Sequence, residues 1–326
     1  MYVKIAENLY QIKMPLPNNP LRELNAYLIT GERNLLIDTG FNRPECEEVL
    51  QQALRELRIT SVDVFVTHLH SDHCGLICKL NKKGSILFAG ETDGELINFE
   101  AGNLYWEILD NLFIQFGFPK ANFGRNTDIH PGRKYCHEGR VDFTYVEEGD
   151  VLRYGGYELE VIHTPGHTLG HMCLYDRANK RLFCGDHILG TITPNICIEI
   201  CSVNPLQDYL DSLEKVMNLE VDLLLTAHGT PVENMQARIR ELQKHHADRL
   251  SEVQKILEDD WKTAYQVAAD MTWEIDCKCW DDFPLPQKWF ATGEAISHLQ
   301  YLYYTGKIAR ELRQAVFFYH NNRQGG

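Results

Sequence analysis

The run Thr67-His68-Leu69-His70-Ser71-Asp72-His73 follows directly on Val62-Asp63-Val64-Phe65-Val66, an apolar stretch rich in β-branched residues that reads as a strand. A strand ending at Val66 hands over to a loop, where the imidazoles of His68 and His70 converge while Asp72 and His73 turn toward a neighbouring position. The expectation is two adjacent metal positions. Neutral imidazole and carboxylate oxygen suit zinc, iron and manganese alike, and a hydrolytic site keeps one coordination position open for water. The competing reading is a surface loop that happens to be histidine-rich.

At 326 residues and 44% hydrophobic content the chain has the size of two globular units. No apolar run approaches membrane-spanning length, and the first residues lack the basic start and apolar block of a secretion signal, so the expected location is the cytoplasm. A formal net charge of -14 disfavours general nucleic-acid binding. Ten cysteines without an export signal are expected as reduced, mostly buried thiols, and the pairs Cys197/Cys201 and Cys277/Cys279 lack the spacing of a zinc ribbon.

Short β-rich runs separated by Gly, Asp and Asn turns, with interspersed amphipathic helices, extend to about Pro231; residues 24–30, 34–38, 62–66, 159–162 and 181–184 read as strands. Between 91 and 150 an aromatic segment with Tyr105, Trp106, Phe113, Phe116, Phe118 and Phe123 interrupts the rhythm and reads as a lid insertion, or as plain core. Beyond Pro231, Met235, Ile239, Leu242, Leu250, Val253 and Leu257 step along one face of a long helix, with His246 filling the gap. Residues 263–268 and 293–302 read as two more helices, Gly306 as a stop and 315–318 as a closing strand. The expected division is 1–232 for the catalytic unit, with 91–150 inserted, and 233–326 for a smaller, mainly helical unit.

Three further segments each follow a strand-like run: His163-Thr164-Pro165-Gly166-His167-Thr168-Leu169-Gly170-His171, Phe183-Cys184-Gly185-Asp186-His187 and Leu225-Thr226-Ala227-His228-Gly229-Thr230-Pro231. Together with Asp38-Thr39-Gly40 and the first motif, they resemble the metallo-β-lactamase superfamily in order and spacing, over about the first 235 residues. The resemblance implies an α/β fold, a four-layer αβ/βα sandwich. It places His68, His70 and His167 on one divalent metal and Asp72, His73 and His228 on the other, with Asp186 bridging both. Zinc is the first expectation, with iron or manganese also suited. His163 and His171 are expected as supporting groups, and His187 points away on an extended chain. Asp38 reads as a turn-capping carboxylate, or, by the resemblance, as a group that orients a ligand histidine.

Two cations against Asp72 and Asp186 leave a positive centre that stabilises hydroxide, and Asp72 is the candidate catalytic residue orienting it. A carboxylate at Asp186 resembles the glyoxalase II, lactonase and phosphodiesterase branches rather than the lactamases that carry cysteine there; Cys184 reads as a buried strand residue. The expected reaction is hydrolysis of a small thioester, ester or lactone, with a phosphodiesterase or single-strand nuclease as runner-up and an iron-dependent sulfur oxygenase third. Arg133, Lys134 and Tyr135 are either contacts for an anionic substrate group or ordinary surface. Residues 291–299 and 306–308 resemble the winged-helix-like tail of some hydrolases of this superfamily. The candidate recognition helix carries Glu294 and no Lys or Arg before Lys307, which implies packing or homodimerisation rather than DNA binding.

Overall fold

The computed structural model describes residues 2–123 and 130–322; residues 124–129 of the expected insertion and 323–326 of the C-terminal unit lie outside them. Seven strands lie in chain order in one sheet: β1 (Tyr2–Ala6), β2 (Leu9–Pro15), β3 (Glu23–Ile29), β4 (Leu35–Ile37), β5 (Asp63–Phe65), β6 (Leu87–Gly90) and β7 (Thr144–Val146). Strands β1 to β4 pair antiparallel, and β4 to β7 pair parallel. A second sheet holds β8 (Val151–Tyr154), β9 (Tyr157–His163), β10 (Met172–Asp176), β11 (Arg181–Gly185) and β12 (Leu223–Thr226), antiparallel except for the β11/β12 pair. The five expected strands fall on β3, β4, β5, β9 and β11.

Alternation along these strands builds the layers, because successive side chains leave opposite faces. Leu35 and Ile37 enter the core between the sheets while Leu36 faces the other way; Phe65 and Val64 divide likewise. From the second sheet, Leu159, Val161 and Phe183 meet the same central core, and Ile162, Leu182 and Cys184 point outward. Helix α1 (Pro44–Glu56), followed by the short α2 (Ser71–Cys74) and α3 (Ile77–Leu80), covers the outer face of the first sheet through Leu50, Ala53, Cys74 and Ile77. The chain then forms α4 (Glu91–Glu100), α5 (Asn103–Gln115) and α6 (Pro131–Tyr135) before α7 (Pro205–Met217) covers the second sheet through Leu206, Tyr209 and Leu213. The order helix, sheet, sheet, helix is the four-layer α/β sandwich expected from the sequence.

After β12 come α8 (Met235–Ile256), α9 (Ala264–Asp270) and α10 (Leu285–Tyr304), then a hairpin of β13 (Ile308–Arg313) and β14 (Val316–Asn321). Met235, Ile239, Leu242, His246 and Val253 form the buried face of α8, as their spacing requires. Thr263 caps α9 reciprocally with Gln266. Helix α10 begins well before Gly293, because Pro286 supplies a helical φ in its first turn. Strand β13 stands outside the expected elements: its sequence is half charged, and it is held by backbone pairing to β14 across Gln314 and Ala315, both at positive φ as a tight hairpin turn demands. The aromatic segment is core on one side. Phe113, Phe116 and Phe118 pack with Ala264, Val267, Ala295 and Leu299, and the Phe113 ring stacks on Trp289 with centroids 4.2 Å apart.

Candidate metal centre

The first motif leaves β5 and turns at once into α2, with His70 in the extended conformation as its N-cap and Asp72 and His73 in its single turn. Asp38 fixes this turn from below. It ends β4 at a φ of +62°, a left-handed conformation that Asp tolerates better than most residues, and its carboxylate accepts from Thr67 N and Thr67 Oγ1, both at 2.9 Å. The same carboxylate accepts from His73 Nδ1 at 2.8 Å, the orienting contact implied by the resemblance.

Three histidines are held in one tautomer by acceptors that can take only a proton. His73 Nδ1 faces Asp38, His167 Nδ1 faces the Asn195 carbonyl at 2.8 Å, and His228 Nδ1 faces the Glu23 carbonyl at 2.9 Å. Each therefore carries a proton on Nδ1 and directs Nε2 inward, the nitrogen that would be left to take a cation. His68 Nε2 and His167 Nε2 each lie 3.0 Å from His70 Nδ1, so three ring nitrogens meet at one point. His228 Nε2 lies 3.3 Å from Asp72 Oδ2, and His73 Nε2 3.9 Å from the same oxygen, which marks a second point.

Asp186, one residue past β11, faces both. Its Oδ2 is 3.6 Å from His167 Nε2, whereas its Oδ1 is 3.6 Å from His73 Nε2 and 3.5 Å from His228 Nε2. His73 Nε2, His228 Nε2 and Asp186 Oδ1 are buried and have no hydrogen-bond partner among the described residues. Buried polar atoms without partners are costly, and a cation at each point would satisfy them. The sets His68/His70/His167 and Asp72/His73/His228 each gather three ligand atoms within 4.8 Å of one another, as does His68/His73/Asp186. All seven residues expected from the sequence meet here.

The electrostatics are those of a site built for positive charge. Burial pulls the His73 imidazolium down, but Asp38, Asp72 and Asp186 outweigh it and lift the group to about 10. Burial pushes the Asp72 carboxyl up, yet His73 and His228 prevail and hold it below the usual carboxylate range. On the other side, burial and then the crowding of neighbouring imidazoles keep His68 and His70 well below ordinary histidine. Divalent cations resolve both tensions, since they neutralise the carboxylates and take unprotonated imidazole.

Among the described residues, His163, His171 and His187 join none of these sets. His163 Nε2 braces the Leu169 carbonyl at 2.9 Å, His171 Nδ1 meets Thr164 Oγ1 at 2.8 Å, and buried His187 lies against the Tyr209 ring. Cys184 is a buried strand residue whose Sγ faces the Ile188 carbonyl. Asp93 is a supporting residue that sequence reading missed. Its carboxylate accepts from Leu69 N at 2.9 Å, Thr168 Oγ1 at 2.6 Å and Gly170 N at 2.6 Å, so one side chain from α4 clamps two ligand-bearing loops. In sequence it is an acidic residue in the first turn of a helix, where a solvated carboxylate is ordinary.

His70, Asp72, His167 and Asp186 form part of the wall of a cavity of about 210 Å³. Tyr105 and His130 from the 91–150 segment and Trp289 and Phe290 from α10 also line it. Arg133 and Lys134 do not.

The family model of the metallo-beta-lactamase superfamily matches residues 20–103 and 116–228. A probable metallo-hydrolase of Bacillus subtilis, YqjP, is 25% identical over 276 residues, covering 81% of this chain and 85% of the relative. An atrochrysone carboxyl ACP thioesterase of Emericella nidulans is 27% identical over 225 residues, covering 69% of this chain and 57% of the relative. The crystal structure of a metallo-beta-lactamase family protein from Thermus thermophilus superposes with a TM-score of 0.82 at 27% identity, over 98% of this chain and 100% of that one. The chain belongs to the metallo-beta-lactamase superfamily.

Proposed function

We propose that the chain is a hydrolase that depends on two divalent metal ions and cleaves a small thioester, ester or lactone. The observation that carries this reading is Asp186, whose two oxygens divide between the two ligand sets. His68, His70 and His167 would hold one ion, Asp72, His73 and His228 the other, and Asp186 would touch both. Bound there, two such ions would supply Lewis acidity toward the substrate oxygen and acidify water near neutral pH. Zinc fits these ligands first, and iron and manganese fit them too.

The chain's own residues do the rest. Asp38, Asn195 and the Glu23 carbonyl fix ring orientation, Asp72 orients the attacking water, and the apolar wall of the cavity limits competing solvent. A thioester is favoured by the relative named as an ACP thioesterase. The phosphodiesterase and nuclease reading is disfavoured, because no Lys or Arg lines the cavity among the described residues. Location in the cytoplasm and a homodimer remain part of the proposal; no helix among the described residues is long and apolar enough to cross a membrane. The order of two helices and a hairpin across 264–321 supports the winged-helix-like reading of the C-terminal unit.

The test is elemental analysis of the purified chain, followed by a panel of thioesters, lactones and phosphodiesters on the same sample. About two metal ions per chain and turnover of the carbonyl substrates are expected, and Asp186→Ala loses most of both. Full metal occupancy in that variant, or hydrolysis of the phosphodiesters alone, overturns the assignment.

A further inference from the structure

The cavity beside the metal centre is also lined by two carboxyls that the ligand sets do not use, Glu100 at the end of α4 and Glu199 in the loop after Asn195. They are 3% and 8% exposed, and neither Glu100 Oε2 nor Glu199 Oε2 has a hydrogen-bond partner among the described residues. No Lys or Arg pairs with either one among the described residues; Glu199 Oε1 lies 3.9 Å from His70 Nε2. Gly132 leaves room for this carboxyl, since a Cβ there would lie 2.8 Å from Glu100 Oε1. A buried carboxyl without a cationic partner costs folding energy, and a protein that keeps two of them facing one cavity gains only when something else enters it. Tyr105, Trp289 and Phe290 bring aromatic rings to the same space, and aromatic rings attract cations to their faces.

We propose that Glu100 and Glu199 form a subsite for a positively charged amine, so that the preferred substrate is an acyl compound bearing an ammonium group in addition to its scissile carbonyl. The substrate class rests on the hydrolase reading above; the subsite does not. Burial, and then the nearby Asp93, push the Glu100 carboxyl up to about 8, so near neutral pH it faces the cavity protonated, and an ammonium that enters displaces that proton to solvent and pairs with the carboxylate. A neutral hydroxyl brings no positive charge and forms no such pair.

The test is direct binding to the zinc-loaded full chain, by calorimetry, of phenethylammonium and of its neutral match 2-phenylethanol. Phenethylammonium is expected to bind at least about tenfold tighter, the scale of a hydrogen bond to a buried charged group. In Glu100→Gln that ratio collapses toward one. Equal or tighter binding of the alcohol, or a ratio that survives the substitution, overturns the proposal. Where circular dichroism shows that Glu100→Gln has not folded, Glu199→Gln carries the same comparison. Ester and thioester turnover is measured on the same preparations: turnover without ammonium preference sinks the subsite alone, and ammonium preference without turnover sinks the hydrolase reading alone.

Discussion

Asp38 Oδ2 lies 2.8 Å from His73 Nδ1, and through that contact a residue just past one strand places the Nδ1 proton of a histidine in the helical turn that follows the neighbouring strand. The carboxylate holds the proton on Nδ1 and so leaves Nε2 free to face Asp186 and Asp72. Asp38→Asn keeps the shape and removes the charge. It is expected to lower metal affinity roughly 10- to 100-fold with the fold intact. Chelator competition on the folded variant checks this, and unchanged affinity would show that Asp38 only caps the turn.

The two ligand sets predict different losses from two histidines. His167→Ala empties the point shared with His68 and His70, whereas His228→Ala empties the point shared with Asp72 and His73. Each variant is expected to retain about one metal ion per chain, held by the ligands left intact. Cobalt substitution followed by absorption spectroscopy distinguishes them, because the remaining ion would be held by three imidazoles and Asp186 in one variant and by two imidazoles with Asp72 and Asp186 in the other. Identical spectra would contradict the division.

Gly166 sits at a φ of +132°, and a Cβ there would lie 2.3 Å from the Tyr209 Cα. The clash is with helix backbone, so it cannot be relieved by a rotamer change. Gly166→Ala is expected to cost at least about 2 kcal/mol and to displace His167 with its loop. Urea unfolding gives the stability loss, and elemental analysis of the folded fraction shows whether metal is lost with it.

Glu100 gives stability a pH dependence of definite sign. Its carboxyl is at about 8 in the folded chain against an ordinary value of 4.5, so between these limits the folded state binds more protons than the unfolded one. Its contribution is most favourable below 4.5, declines as pH rises through about 8, and is constant above. Glu100→Gln removes this dependence. The difference in melting temperature between variant and parent should therefore move in the variant's favour from pH 5 to pH 9, and a difference that stays flat across this range would mean that Glu100 is ionised at no cost.

Much of the site was legible in the sequence because its information is local. The types and spacing of the candidate ligands are fixed within His68, His70, Asp72 and His73 by a strand that ends and a helical turn that begins, and period-two alternation in β4, β5, β9 and β11 dictates two sheets sharing one core. What only the tertiary structure decided lies in long-range contacts, which leave no local pattern. The two oxygens of Asp186 separate toward His167 on one side and toward His73 and His228 on the other, three residues from distant parts of the chain. Asp93 looks like any helix-end carboxylate until Leu69, Thr168 and Gly170 close on it. The cavity has no sequence signature either: Glu100, Glu199 and Trp289 come from three distant segments, and their shared role exists only because the aromatic core brings α5 and α10 together beside the metal centre.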